Sequence, residues 1–136
     1  MNIVLDTNVL VSGLLTPFGP SGEIVRMISA GLLTLMVDAR ILSEYREVLH
    51  RPKFQFNHDQ INDLLDYIRL SSRIVSAVPL KKPLPDPDDE PFLEIAVSAK
   101  AACLITGNRV HFPKKSCQGV KIVSPSEFID LYRDLE

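Results

Sequence analysis

Short apolar runs alternate with amphipathic stretches along all 136 residues of the chain. Ile3 to Leu5 read as a buried strand that ends in Asp6. Thr7 is placed to cap the helix that follows, with Val9, Leu10, Leu14 and Leu15 as its apolar face. Pro17, Gly19 and Pro20 break that helix. Ser21 opens a second one, with Ile24, Val25 and Ile28 on one face and Gly31 at its end. Leu32 to Val37 form a continuous apolar strand. Asp38 or Ala39 begins a helix carrying Ile41, Leu42, Tyr45, Val48 and Leu49 inward. It stops near Arg51-Pro52, because a residue before proline disfavours helical backbone. Asn57 or Asp59 opens another helix, with Ile61, Leu64, Leu65 and Ile68 facing in. Ile74 to Val78 read as a third strand. The stretch from Pro79 to Pro91 holds five prolines and four acids and reads as a stiff loop. Phe92, Ile95, Ala96 and Ala99 repeat at helical spacing. Cys103 to Thr106 and Val120 to Val123 are the fourth and fifth strands. A last helix has Pro125 in its first turn, Ser124 as cap, and Phe128, Ile129 and Leu131 inward. Strands alternating with helices predict an α/β fold with a parallel sheet covered on both faces.

Length and composition predict one domain over residues 1–136, large enough to bury a core. A hydrophobic fraction of 46% and a charged fraction of 24% fit an ordinary soluble globular protein. No basic segment with a long apolar run and cleavage site opens the chain, and no apolar run approaches bilayer length. Two cysteines, Cys103 in a strand and Cys117 in a loop, make neither a disulfide framework nor a zinc pattern. Reduced thiols and a cytoplasmic protein are expected. The net charge of −2 counts against a broad nucleic-acid footprint. It counts less if the acids gather at a metal site, where a cation inverts the local sign.

The acids supply the chemistry. Asp6 ends a buried strand, where α/β sheets place their ligand sites; its plain role would be a helix cap near a positive dipole end. Thr7 and Asn8 add oxygen-bearing side chains suited to orienting Asp6 or bonding a metal-bound water. Glu44 borders the buried face of its helix, and spacing leaves it open between metal ligand and surface charge. Glu47 pairs with Arg51 at i+4. One acid of the Asp86, Asp88, Asp89 run would suffice as a cap. Asp89, three residues before Phe92, is the first choice as a ligand and Asp88 the second. Carboxylates converging from Asp6, Glu44 and this run would repel unless a hard cation neutralised them. Asn108, in Thr106-Gly107-Asn108, is either a turn residue or a neutral oxygen donor, with Thr106 beside it. His111 reads as a loop residue or phosphate contact rather than a zinc ligand. Oxygen donors favour Mg²⁺ or Mn²⁺ over zinc. No phosphate loop, dinucleotide fingerprint or nucleophile elbow is present.

The ordered motifs Val4-Leu5-Asp6-Thr7-Asn8-Val9-Leu10, Leu42-Ser43-Glu44-Tyr45, Asp86-Pro87-Asp88-Asp89 before Phe92-Leu93-Glu94-Ile95-Ala96, and Leu104-Ile105-Thr106-Gly107-Asn108 carry a resemblance. With Ile122-Val123-Ser124-Pro125 and Glu127-Phe128, nearly the whole chain resembles the PIN-domain ribonuclease family. It is most similar to stand-alone PIN proteins of the VapC kind, toxins of toxin–antitoxin pairs. The resemblance implies a three-layer α/β/α fold around a central, mainly parallel sheet of about five strands. It also implies Mg²⁺ or Mn²⁺ in an acidic pocket and endonucleolytic cleavage of single-stranded RNA. Asp6, Glu44 and Asp89 match the family's main acids, and Asn108 stands where many members carry a fourth aspartate, which puts a second metal in question. Thr7 or Asn8 would orient the water or a ligand. Arg46, Arg51, Lys53 and Lys114 are candidates for holding the RNA backbone. A homodimer and a small antitoxin partner are further implications.

Two rival readings come from other classes. A haloacid-dehalogenase-like phosphatase needs a second acid two residues after the first, where this chain has Asn8. A phosphoacceptor receiver domain needs an acceptor at the end of its middle strand, which Ile74 to Val78 does not offer. The non-catalytic alternative is a PIN-like module that binds RNA or protein with negligible turnover, favoured by Asn108 and the acidic pI.

Overall fold

The computed structural model describes residues 1–135. Among them are five strands, β1 (Asn2–Leu5), β2 (Thr34–Val37), β3 (Arg73–Ile74), β4 (Cys103–Ile105) and β5 (Ile122–Val123). They form one sheet in the order β3-β2-β1-β4-β5, and every neighbouring pair is parallel. Six α-helices complete the three-layer α/β/α arrangement: α1 (Thr7–Leu15), α2 (Pro20–Ser29), α3 (Ala39–Leu49), α4 (His58–Ser71), α5 (Glu90–Ala99) and α6 (Pro125–Leu135). Ile3, Val4, Leu5, Leu104 and Ile105 are wholly buried, as strands covered on both faces must be. α5 packs across β1, β2 and β4, and α2 packs against α1 and α6.

Several element ends differ from the sequence pattern for local reasons. Thr7 is the first residue of α1 rather than its cap; Asp6 holds the cap position without a side-chain cap bond. Leu15 is exposed, while Val11 and Gly13 are buried, so the buried stripe of α1 is rotated. Pro20 starts α2 rather than breaking its predecessor, as suits a residue with helical φ and no N–H to lose. β2 and β5 are shorter than the apolar runs that suggested them. The third strand is only Arg73–Ile74, and both residues are exposed at the sheet edge, so the expected strand to Val78 is not formed. Asp38, Asn57 and Ser124 cap their helices. Asp38 Oδ1 accepts from the Ile41 N–H, and Asn57 Oδ1 from the Gln60 N–H. Ser124 and Glu127 satisfy each other's backbone amides reciprocally.

Two glycines let α2 pack closely against α1 and against the turn between them. A Cβ on Gly22 would fall 2.0 Å from the Pro17 carbonyl oxygen, and one on Gly13 would fall 2.7 Å from the Ser21 carbonyl oxygen. Tyr45 anchors α3 to the central strand. Its ring is fully buried and its hydroxyl donates to the Leu5 carbonyl at 2.5 Å. Tyr45→Phe strands that carbonyl and is expected to cost about 1–3 kcal/mol in urea unfolding. A change of only a few tenths would show the bond to be incidental.

Cys103 and Cys117 are buried, unpaired thiols. Burial pushes the Cys103 thiol up to about 11, which leaves it unreactive. Among the described residues no helix is long and apolar enough to cross a membrane.

Candidate active site at the carboxyl edge of the sheet

A parallel sheet collects the carboxyl ends of its strands on one edge, and ligand crevices open there where the strand order reverses. Here the reversal lies between β1 and β4, because β2 and β3 extend to one side and β5 to the other. The β1–β4 register pairs Leu5 with Ile105, so Asp6 and Thr106 leave the sheet together at that point.

Asp6 is 6% exposed, and its N–H donates to the Ile105 carbonyl at 3.0 Å. The wholly buried Thr106 donates its hydroxyl to Asp6 Oδ2 at 2.7 Å and accepts from the Asn108 N–H at 3.0 Å. The amide uses the acceptor side of that hydroxyl, so its single hydrogen goes to Asp6. Asn8 Oδ1 accepts from the Gly107 N–H at 3.3 Å and ties the start of α1 to the end of β4. Glu44, open between two roles in the sequence, turns toward α1, where the buried Thr7 hydroxyl donates to its Oε2.

The acidic run divides its labour. Asp86 accepts from the Asp88 N–H and caps a short 3-10 turn. Glu90 accepts from the Leu84 N–H and holds the proline-rich strap against α5. Asp88 is exposed. Asp89 alone of the four turns into the crevice in a largely buried state, with its side chain 14% exposed. His111 Nδ1 lies 3.2 Å from Asp89 Oδ2, but not in hydrogen-bond alignment. That oxygen is buried and has no hydrogen-bond partner among the described residues.

Burial raises the pKa of Asp6, with the Thr106 hydrogen bond pulling the other way. Burial also raises that of Glu44, with the Asp6 charge adding to it. The Asp89 carboxyl is pushed up to about 6, by burial first and the Asp6 charge second. Three acids held near one another in this state are short of positive charge, and a divalent cation would reverse the balance. Among the described residues no three His, Cys, Asp or Glu side chains are already gathered around a single point as a chelate. The preformed convergence expected from the sequence is therefore looser than a closed ligand cage. Oxygen donors and an orphaned Asp89 oxygen fit a hard cation that keeps several waters and takes one or two carboxylates directly.

The Asp89 shift has a signed consequence for stability in the metal-free protein. Its carboxyl ordinarily titrates at 3.8 and here at about 6, so the folded chain binds the proton more tightly. The resulting stability is full below pH ~4 and is lost as pH rises through about 6. Melting temperature measured in chelator should fall between about pH 5 and about pH 7, and less steeply in Asp89→Asn. Equal slopes in the two proteins would contradict the assignment.

The remaining candidates scatter. Asn108 is exposed and contributes its backbone N–H to Thr106. Arg46 lies with Leu42, Leu65 and Arg69 in a groove between α3 and α4, away from the face that carries Glu44. Arg51 pairs with Glu47 at 2.9 Å, as the i+4 spacing predicts. Lys53 sits 5.1 Å from the centre of the Phe54 ring. Lys114 lines a half-open pocket of about 500 Å³ with Arg109, Phe112 and Lys121, separate from the acids. The structure thus joins Asp6, Thr7, Asn8, Glu44, Asp89 and Thr106, and leaves the basic candidates outside. His111 enters the crevice although its sequence context suggested only a loop or phosphate contact. Tyr45, which carries no chemistry in the sequence pattern, fixes the strand end that presents Asp6.

Comparison with known proteins agrees with this geometry. The chain is 27% identical over 141 aligned residues to an uncharacterized protein of Methanocaldococcus jannaschii, covering 96% of this chain and 90% of that one. A family model described as PIN domain matches residues 2–110, from β1 through the turn after β4. That span contains every acid of the crevice, and the chain belongs to the PIN domain family, whose nucleases generally use divalent metals.

Proposed function

We propose that this protein is a metal-dependent endoribonuclease that hydrolyses single-stranded RNA, acting in the cytoplasm as the toxin of a toxin–antitoxin pair. One observation carries the nuclease reading: the buried Asp6 carboxylate shares a crevice with Glu44 and with an unpartnered Asp89 oxygen. When bound, Mg²⁺ or Mn²⁺ supplies Lewis acidity at the scissile phosphate and lowers the pKa of the attacking water.

The chain's own residues hold the ligands still. Thr106 fixes the orientation of Asp6, and Thr7 fixes that of Glu44. Asn8 ties the start of α1 to the turn after β4. Attack by water rather than by the ribose 2′-hydroxyl leaves a 5′-phosphate on one product. Lys114, grouped with Arg109 and Lys121 around one pocket outside the acidic crevice, is the candidate cation for holding the RNA backbone. A small antitoxin and a second copy of the chain are the proposed partners, on the resemblance to stand-alone PIN toxins.

Asn108 in place of an acid favours a second reading, a binding module with little turnover. Incubation of end-labelled single-stranded RNA with the native chain in Mg²⁺, Mn²⁺ or chelator separates the two. Metal-dependent cutting with 5′-phosphate ends is expected. A folded, cation-bound chain that cuts none of a varied RNA set would favour the binding module.

A further inference from the structure

His111 is the one crevice group that the reaction above leaves idle. It lies on the turn after β4, half exposed, with its Nδ1 3.2 Å from Asp89 Oδ2. An ordinary ion pair would aim the imidazole N–H at that oxygen. Here the two are misaligned, and the oxygen remains without a hydrogen-bond partner although it is buried. An arrangement that leaves a buried acceptor unsatisfied costs about 1–3 kcal/mol unless something else completes it.

Two donors bound side by side on one octahedral cation show this relationship. With metal–donor distances of about 2.1 Å they stand about 3 Å apart, and their lone pairs converge on the ion rather than on each other. The imidazole lies near enough to Asp6 for its charge to bear on that carboxyl as well as on Asp89. Asn108, by contrast, is exposed and spends its backbone N–H on Thr106.

We propose that His111 is a direct nitrogen ligand of the cation held by Asp89, which makes the site a mixed carboxylate–imidazole centre selective for Mn²⁺ over Mg²⁺. The inference rests on the metal-dependent reading given above and deepens it by naming the class of ion. Imidazole suits first-row transition ions, whereas Mg²⁺ prefers oxygen donors and parts reluctantly with its waters. Asp89 and His111 form the protein's pair, and water and substrate complete the shell. His50 and His58 lie together where α3 ends and α4 begins, with ring centres 5.1 Å apart, and serve as internal controls.

The test is electron spin-echo spectroscopy of the Mn²⁺-loaded full chain, with calorimetric titration of Mn²⁺ and Mg²⁺ beside it. The native chain and His50→Ala should show coupling to a directly bound nitrogen, and His111→Ala and His111→Gln should lose it. Mn²⁺ affinity should drop about tenfold or more in both His111 variants. The Mg²⁺ affinity should change far less. Unchanged or tighter Mn²⁺ binding in folded His111 variants, with no nitrogen coupling in the native chain, would mean that His111 is merely a counter-ion of Asp89. That result overturns the ligand assignment and leaves the metal-dependent nuclease standing. If the native chain binds neither ion, the reading beneath it fails as well.

Discussion

Asp6→Asn should lower metal-dependent RNA cleavage by at least about a thousandfold, a barrier increase of about 4 kcal/mol. The substitution keeps the shape of the side chain, and asparagine still offers an oxygen to the Thr106 hydroxyl. What it removes is the charge, and with it the buried centre around which Glu44 and Asp89 gather. The same loss relieves repulsion in the metal-free state, so the variant should melt higher than the native chain in chelator. Activity and stability are thus expected to move in opposite directions. That pairing separates a lost ligand from a damaged fold. Full cleavage by a folded Asp6→Asn chain would remove Asp6 from the reaction.

Gly22→Ala should destabilise the protein by about 2–3 kcal/mol, the upper part of the range of about 1–3 kcal/mol for forced overpacking. The added methyl carbon would lie 2.0 Å from the carbonyl oxygen of Pro17 and 2.4 Å from its carbonyl carbon. Backbone cannot step aside as a side-chain tip can, so either the Pro17–Gly19 turn or the first turn of α2 must move. The Arg26 guanidinium, which also donates to the Pro17 carbonyl, would lose its place in the same shift. Urea unfolding of the variant reads the cost directly. A midpoint within error of the native value would show that this turn is freer than its packing indicates.

The order of strands and helices was legible because the buried strands are continuous apolar runs and the helices carry clear stripes. Asp6 was legible for the same reason, as a carboxylate at the end of such a run. Ile74 to Val78 has the composition of a strand, so the sequence pattern extends β3 beyond its true end. Only Arg73–Ile74 pairs with β2, and Ile74 remains 62% exposed. Composition reports what a segment prefers, while pairing depends on whether a neighbour is within reach. Asp89 was distinguishable from Asp86, Asp88 and Glu90 only in part. The backbone amides that occupy Asp86 and Glu90 belong to a 3-10 turn and a strap whose geometry spacing does not encode. Gly22 gave no signal, since its value lies in the carbonyl of a residue on another segment. His111 gives no signal of its place in the crevice, because a single histidine in a loop has no periodicity to locate it.

The hydroxyl of Thr106 meets Asp6 across a hundred residues of intervening chain. A fragment that stops before β4 therefore lacks both the neighbouring strand and the hydrogen that fixes the carboxylate, however well α1 to α4 fold. Long-range parallel pairing is also slow relative to helix formation. During synthesis the acidic edge stays incomplete until the fourth strand has left the ribosome, so Asp6 is fixed in place only after most of the chain has been made.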